Sequence, residues 1–112
     1  MDDKRSKMPL AGVRVVDFTQ VVAGPYCTMM LADMGAEIGK IERAAHGDDL
    51  RRTVPYKGRE GHQDYFNALN RSKKSVALNL KDDGQRAVAL LLIERADVVV
   101  ENFSPGTVAR LG

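Results

Sequence analysis

Apolar positions in this chain alternate between a strand-like and a helix-like pattern. Residues 13–18, Val13-Arg14-Val15-Val16-Asp17-Phe18, are β-branched and mostly apolar, as in a strand buried on both faces. Residues 19–23 read as a loop, and Gly24-Pro25 opens a helix, because proline in a first turn gives up an N–H that has no helical partner. Cys27, Met30, Leu31 and Met34 then follow at helical spacing and predict an inward apolar stripe, with Gly35 as the stop. Residues 36–42 predict a second strand and complete a β-α-β unit.

The pattern lapses from 43 to 64, where Gly47, Pro55, Gly58 and Gly61 punctuate a charged surface connection. A short helical turn is expected at 65–69. A third strand is expected at 75–80, where Val76, Leu78 and Leu80 alternate. Asp82 is placed to cap the next helix, with Gln85 at capping-box spacing, and that helix runs to about Ala96. Residues 97–101 predict a fourth strand, Ser104-Pro105-Gly106 a turn, and 107–111 a last short helix. Alternating strands and helices define an α/β fold, a Rossmann-like parallel sheet with flanking helices. Ligands of such sheets bind beyond the carboxyl ends of the strands. That rule nominates residues 19–23, 43–48, 81–83 and 102–105.

A chain of 112 residues suits one domain, expected at 9–112 behind a flexible tail at 1–8. A net charge of +2, with scattered basic residues, gives no footprint for nucleic acid. No apolar run reaches the ~20 residues of a membrane span. The single cysteine, Cys27, suits a reducing, cytoplasmic setting, and its place in the apolar stripe marks it as core rather than nucleophile. Neither the G-x-G-x-x-G fingerprint nor a Walker A loop follows the first strand, which argues against an NAD enzyme or a P-loop NTPase. His46 and His62 lack partners at ligand spacing, so they read as solvated loop residues, and no metal site is expected. Lys73 and Lys74 read as a solvated turn, and Asp17 and Asp33 as structural.

Several segments stand out in order: Pro9-Leu10-Ala11-Gly12-Val13-Arg14-Val15-Val16-Asp17-Phe18-Thr19, the run from Ala23-Gly24-Pro25 to Gly35-Ala36-Glu37, Lys40-Ile41-Glu42, and Gly47-Asp48-Asp49-Leu50-Arg51. The run from Asn70-Arg71-Ser72 to Leu80-Lys81, and that from Ala96-Asp97 to Pro105-Gly106, complete the set. Together they resemble the opening of the family III CoA-transferases, which include formyl-CoA and carnitine CoA-transferases. One departure is Gly39, where the family usually has a β-branched residue; glycine weakens a strand interior by roughly 0.5–1 kcal/mol relative to alanine.

The resemblance implies a pocket for coenzyme A, bound as CoA or acyl-CoA substrate, with no tightly bound cofactor. By matching motif, Val21, Val22 and Ala23 would line it after the first strand, and Arg43 would face the nucleotide. Leu78 and Lys81 would lie by the adenosine, and Asn102, Phe103 and Arg110 would close that side. Cations for phosphates and apolar or aromatic walls for adenine are the chemistry such a ligand needs.

The resemblance further implies an acyl-CoA and a small carboxylic acid as reactants, in an interlocked homodimer. Its nucleophile is an aspartate that attacks the thioester and forms a mixed anhydride. None of the aspartates from Asp17 to Asp97 stands in that motif, so no catalytic residue is assigned, and this chain alone is expected to be inactive. Val22-Ala23-Gly24-Pro25 favours transferases over α-methylacyl-CoA racemases, which tend to carry Pro-Gly-Pro there. A truncated, silent CoA-binding module, with an apolar sheet face exposed to self-association, is the other expectation. An unrelated flavodoxin-like domain would need an acidic cluster or phosphate loop that the sequence lacks.

Overall fold

The computed structural model describes residues 4–52 and 63–112. A four-stranded parallel sheet runs in the order β3-β2-β1-β4, built from β1 (Arg14–Asp17), β2 (Glu37–Arg43), β3 (Lys73–Leu78) and β4 (Val98–Val100). Helices α1 (Ala23–Asp33), α2 (Asp64–Leu69), α3 (Asp83–Glu94) and α4 (Thr107–Leu111) connect or follow the strands, and Asp49–Arg52 forms a 3-10 turn. The α/β fold expected from the alternating pattern is therefore the fold observed. Pro55, Gly58, Gly61 and His62 lie outside the described residues.

Each face of the sheet buries its own cluster. Val15 and Ile38 pack with Ala32 of α1, while Val16, Ile41 and Leu78 pack with Ala89 of α3. The strand residues alternate between the two faces, as the two-residue strand period requires. A third cluster, Met29, Leu50, Phe66 and Leu69, joins α1, the 3-10 turn and α2. At the β4 edge, Val98 and Val99 are exposed on opposite faces of the sheet, and Leu90 and Leu91 of α3 are exposed as well.

The helix ends follow local chemistry. Gly35, at φ +104°, ends α1 in a Schellman motif: Gly35 N–H donates to Ala32 C=O at 3.0 Å and Ala36 N–H to Leu31 C=O at 3.1 Å. Asp82 caps α3 by accepting the Gln85 N–H at 2.9 Å. The reciprocal half of the capping box does not form, because the Gln85 side chain accepts from Asn79 N–H at 2.8 Å instead. Gly39 pairs with Val16 and Lys74, and a Cβ there would meet nothing nearer than the Val15 carbonyl at 3.9 Å. The missing side chain leaves room without a close contact.

Three expectations are corrected. The inward face of α1 is Pro25, Thr28, Met29 and Ala32, whereas Cys27, Met30 and Met34 are exposed. The cause is a polar floor under the helix: Thr28 Oγ1 donates to Asp17 Oδ2 at 2.6 Å, and Gly24 lies so close that a Cβ would fall 2.3 Å from Thr19 Cβ. Cys27 is therefore not a core residue. β3 begins two residues early, at Lys73, because that lysine has a buried partner: its side chain is 2% exposed and its Nζ lies 3.2 Å from Asp17 Oδ2. Of the supposed solvated turn, only Lys74 is exposed, at 79% of its side chain.

Candidate functional site

Chain order places β1, β2 and β3 successively outward and then returns β4 to the other side of β1, so the direction reverses between β1 and β4. At such a point the loops leaving the strands part and open a crevice. Here the two loops are tied together: Asn102 Oδ1 accepts Gln20 N–H at 3.0 Å, and Asn102 Nδ2 donates to Gln20 C=O at 2.9 Å.

Beside that tie, a cleft of about 520 Å³ opens at the carboxyl ends of β2 and β3. Arg43, Leu78, Lys81 and Phe103 all line it, four of the nine residues expected from the sequence. Leu78 is buried and doubles as core, while Lys81 is exposed. Arg43 Nη2 pairs with Asp49 Oδ1 at 2.5 Å, with both side chains about half exposed, so the pair contributes little and leaves the guanidinium open to competition from a stronger anion. Phe103 packs against Phe18 with ring centroids 6.3 Å apart. Those two rings, with Leu80 and Leu111, also wall a second, apolar cavity of about 150 Å³ between α3 and α4.

The other five expected residues lie outside this cleft's wall. Val21 and Val22 sit in the loop, and Ala23 begins α1; all three are exposed. The Asn102 amide is engaged with Gln20. Arg110 lies on α4, where its Nη2 donates to Thr107 Oγ1 at 3.0 Å. Gln20 falls in the nominated stretch 19–23, whereas sequence reasoning missed Ile41, Asn79 and Leu80 as cleft residues. They are ordinary strand-end residues and carry no chemical signal.

Under α1 lies a buried polar network that the motif reading also passed over. Lys40 Nζ donates to Asp48 Oδ2 at 2.9 Å and to Thr19 C=O at 3.0 Å, with the two side chains 1% and 0% exposed. Glu42 receives Arg51 through Nε and Nη2, each at 2.7 Å, together with Asp48 N–H at 2.9 Å and the Ser75 hydroxyl. Arg51 in turn stacks on Phe66, its Cζ 3.9 Å from the ring centroid. Burial opposes charge on Glu42, but the hydrogen bonds from Arg51, Ser75 and Asp48 outweigh it and hold the carboxyl at about 2. Burial pulls the Lys73 ammonium below its ordinary range, partly offset by Asp17. A signal was available: Lys40 and Glu42 stand in a strand expected to be buried, and buried charges require partners.

His46 is exposed as expected, and among the described residues no group of three or more His, Cys, Asp or Glu could hold a metal. No helix among the described residues is long and apolar enough to cross a membrane.

Fold and cleft together define a Rossmann-like α/β domain with a cationic and aromatic pocket at its carboxyl edge. The model of CoA-transferase family III matches residues 10–112, and the chain belongs to that family. Acetyl-CoA:oxalate CoA-transferase of Acetobacter aceti is 47% identical over 108 residues, covering 96% of this chain and 27% of that protein. Succinyl-CoA:mesaconate CoA-transferase of Haloarcula marismortui is 51% identical over 104 residues, covering 90% of this chain and 26% of that protein. Among solved structures, Rv3272 from Mycobacterium tuberculosis aligns with a TM-score of 0.84 at 44% identity, over 94% of this chain and 29% of that one. A CAIB/BAIF family protein from Brucella suis aligns at 0.83 and 34% identity, over 93% of this chain and 28% of that one. The chain thus spans about a quarter of the length of the curated relatives it matches.

Proposed function

We propose that this chain is the N-terminal, coenzyme-A-binding portion of an acyl-CoA:carboxylate CoA-transferase. CoA or its thioester is the substrate, and no cofactor is held tightly. The observation that carries the reading is the 520 Å³ cleft, where Arg43, Lys81 and Phe103 meet at the carboxyl edge of the sheet. Its chemistry suits the nucleotide end of CoA: Arg43 and Lys81 complement phosphate, and Phe103 with Leu78 offers apolar walls to adenine. Val21, Val22, Ala23, Asn102 and Arg110 would border the same ligand as it leaves the cleft. The relatives named above act on acyl-CoA and carboxylates, as their names state. In this reading the nucleophilic aspartate lies outside these residues, and the chain alone has no transfer activity. The same reading carries a homodimer and a cytoplasmic setting.

Titration of the chain with CoA tests it. Arg43→Ala removes one charge-assisted contact and should weaken binding about tenfold, the equivalent of ~1.4 kcal/mol. Because Arg43 is exposed, its melting temperature should hardly move. Unchanged affinity would count against the cleft as the CoA site.

A further inference from the structure

The loop between β1 and α1 contains a backbone anomaly. Val21 has φ +67°, a left-handed conformation that is costly for a β-branched residue and persists only where the surroundings impose it. Asp48 supplies the imposition. Its Oδ1 accepts Val21 N–H at 3.0 Å and Leu50 N–H at 2.9 Å, and Lys40 Nζ fixes its Oδ2 at 2.9 Å. Both partners of this pair are buried, so solvent does not compete for the carboxylate. Two further grips act on the preceding residues: Lys40 on Thr19 C=O and Asn102 on both backbone groups of Gln20. The backbone is thus gripped at each residue from 19 to 21, just before Val22, the N-cap residue of α1. Val21 itself is 42% exposed, so its side chain gains little from this placement.

We propose that Asp48, oriented by Lys40, is a positioning residue for ligand binding: by accepting the Val21 N–H it sets the backbone of 21–23 in the geometry that receives the ligand. This rests on the reading that those residues border a CoA pocket. A single substitution in the pair would strand a buried charge, so the informative variants neutralise both partners. Lys40→Met with Asp48→Asn keeps an oxygen that accepts the Val21 N–H, whereas Lys40→Met with Asp48→Ala does not. Both lose the lysine contact to Thr19, which makes them a matched pair.

The asparagine variant should keep the strong intraresidue Hα–HN NOE at Val21 that a positive φ produces, and bind CoA within about threefold of the parent chain. The alanine variant should lose that NOE and bind CoA at least tenfold more weakly. Retention of both the NOE and the affinity in the alanine variant would overturn the proposal. If the alanine variant does not fold, Val21→Gly decides the backbone half: glycine adopts this φ without strain, so the melting temperature should rise. A fall would contradict an imposed conformation. A parent chain that binds no CoA would overturn the ligand half and the CoA reading together, and the NOE comparison would still decide whether Asp48 sets Val21.

Discussion

Replacing Asp17 with alanine should lower the unfolding free energy by about 3–5 kcal/mol, the usual cost of removing one partner of a buried ion pair. The Asp17 carboxylate is fully buried and gathers four donors. Thr19 N–H lies at 2.7 Å, Thr19 Oγ1 at 2.5 Å, Thr28 Oγ1 at 2.6 Å and Lys73 Nζ at 3.2 Å. Lys73 keeps hydrogen bonds to Pro25 C=O at 3.1 Å and Asn70 Oδ1 at 2.8 Å, but these are neutral acceptors and leave its charge uncompensated. The loss therefore combines an unpaired buried cation with the stranded N–H and hydroxyl of Thr19, while the Thr28 hydroxyl keeps the Gly24 and Pro25 carbonyls at 3.3 and 3.2 Å. Asp17→Asn combined with Lys73→Met removes the charge from both sides and should recover most of it. Urea unfolding followed by circular dichroism reads both values. A loss below about 1 kcal/mol in the single variant would show that the pair is not the anchor of α1.

Acid should weaken the fold through Glu42. Its carboxyl is held at about 2 in the folded chain, against 4.5 as its ordinary value. A carboxyl depressed on folding adds stability that is present above the higher value and disappears as pH falls toward the lower one. The window is therefore about pH 4.5 down to 2, and the contribution is at most about 3.5 kcal/mol, at ~1.4 kcal/mol per unit. Glu42→Gln lacks the charge at every pH. Its stability should start lower at pH 7 and fall less between pH 5 and 2.5. Urea midpoints across that range check this, and parallel curves for the two proteins would exclude Glu42 as the acid-sensitive group.

The sequence revealed the fold because strand and helix periods are set locally, by runs such as residues 13–18 and by stops such as Gly35. The cleft was half legible. Arg43 ends β2, Lys81 follows β3, and both carry chemistry, while Asn79 and Leu80 do not. What escaped was the buried polar floor. Nothing local marks Thr28, and Lys73 reads as a turn, because both meet Asp17, 11 and 56 positions away in sequence. For the same reason the α1 stripe was drawn through Cys27 and Met30: an apolar period cannot reveal that the surface beneath a helix is polar. Val21 carries no mark of its left-handed backbone, since the residue that imposes it, Asp48, belongs to another loop.

In the proposed function, coenzyme A occupies the cleft at the ends of β2 and β3. The most direct measurement is the map of backbone amide resonances shifted by CoA. Saturable shifts should converge on Arg43, residues 78–81 and Phe103, and extend along residues 20–23. Shifts confined to the exposed outer side of α1, around Tyr26 and Met30, or no shifts at saturating CoA, would contradict it.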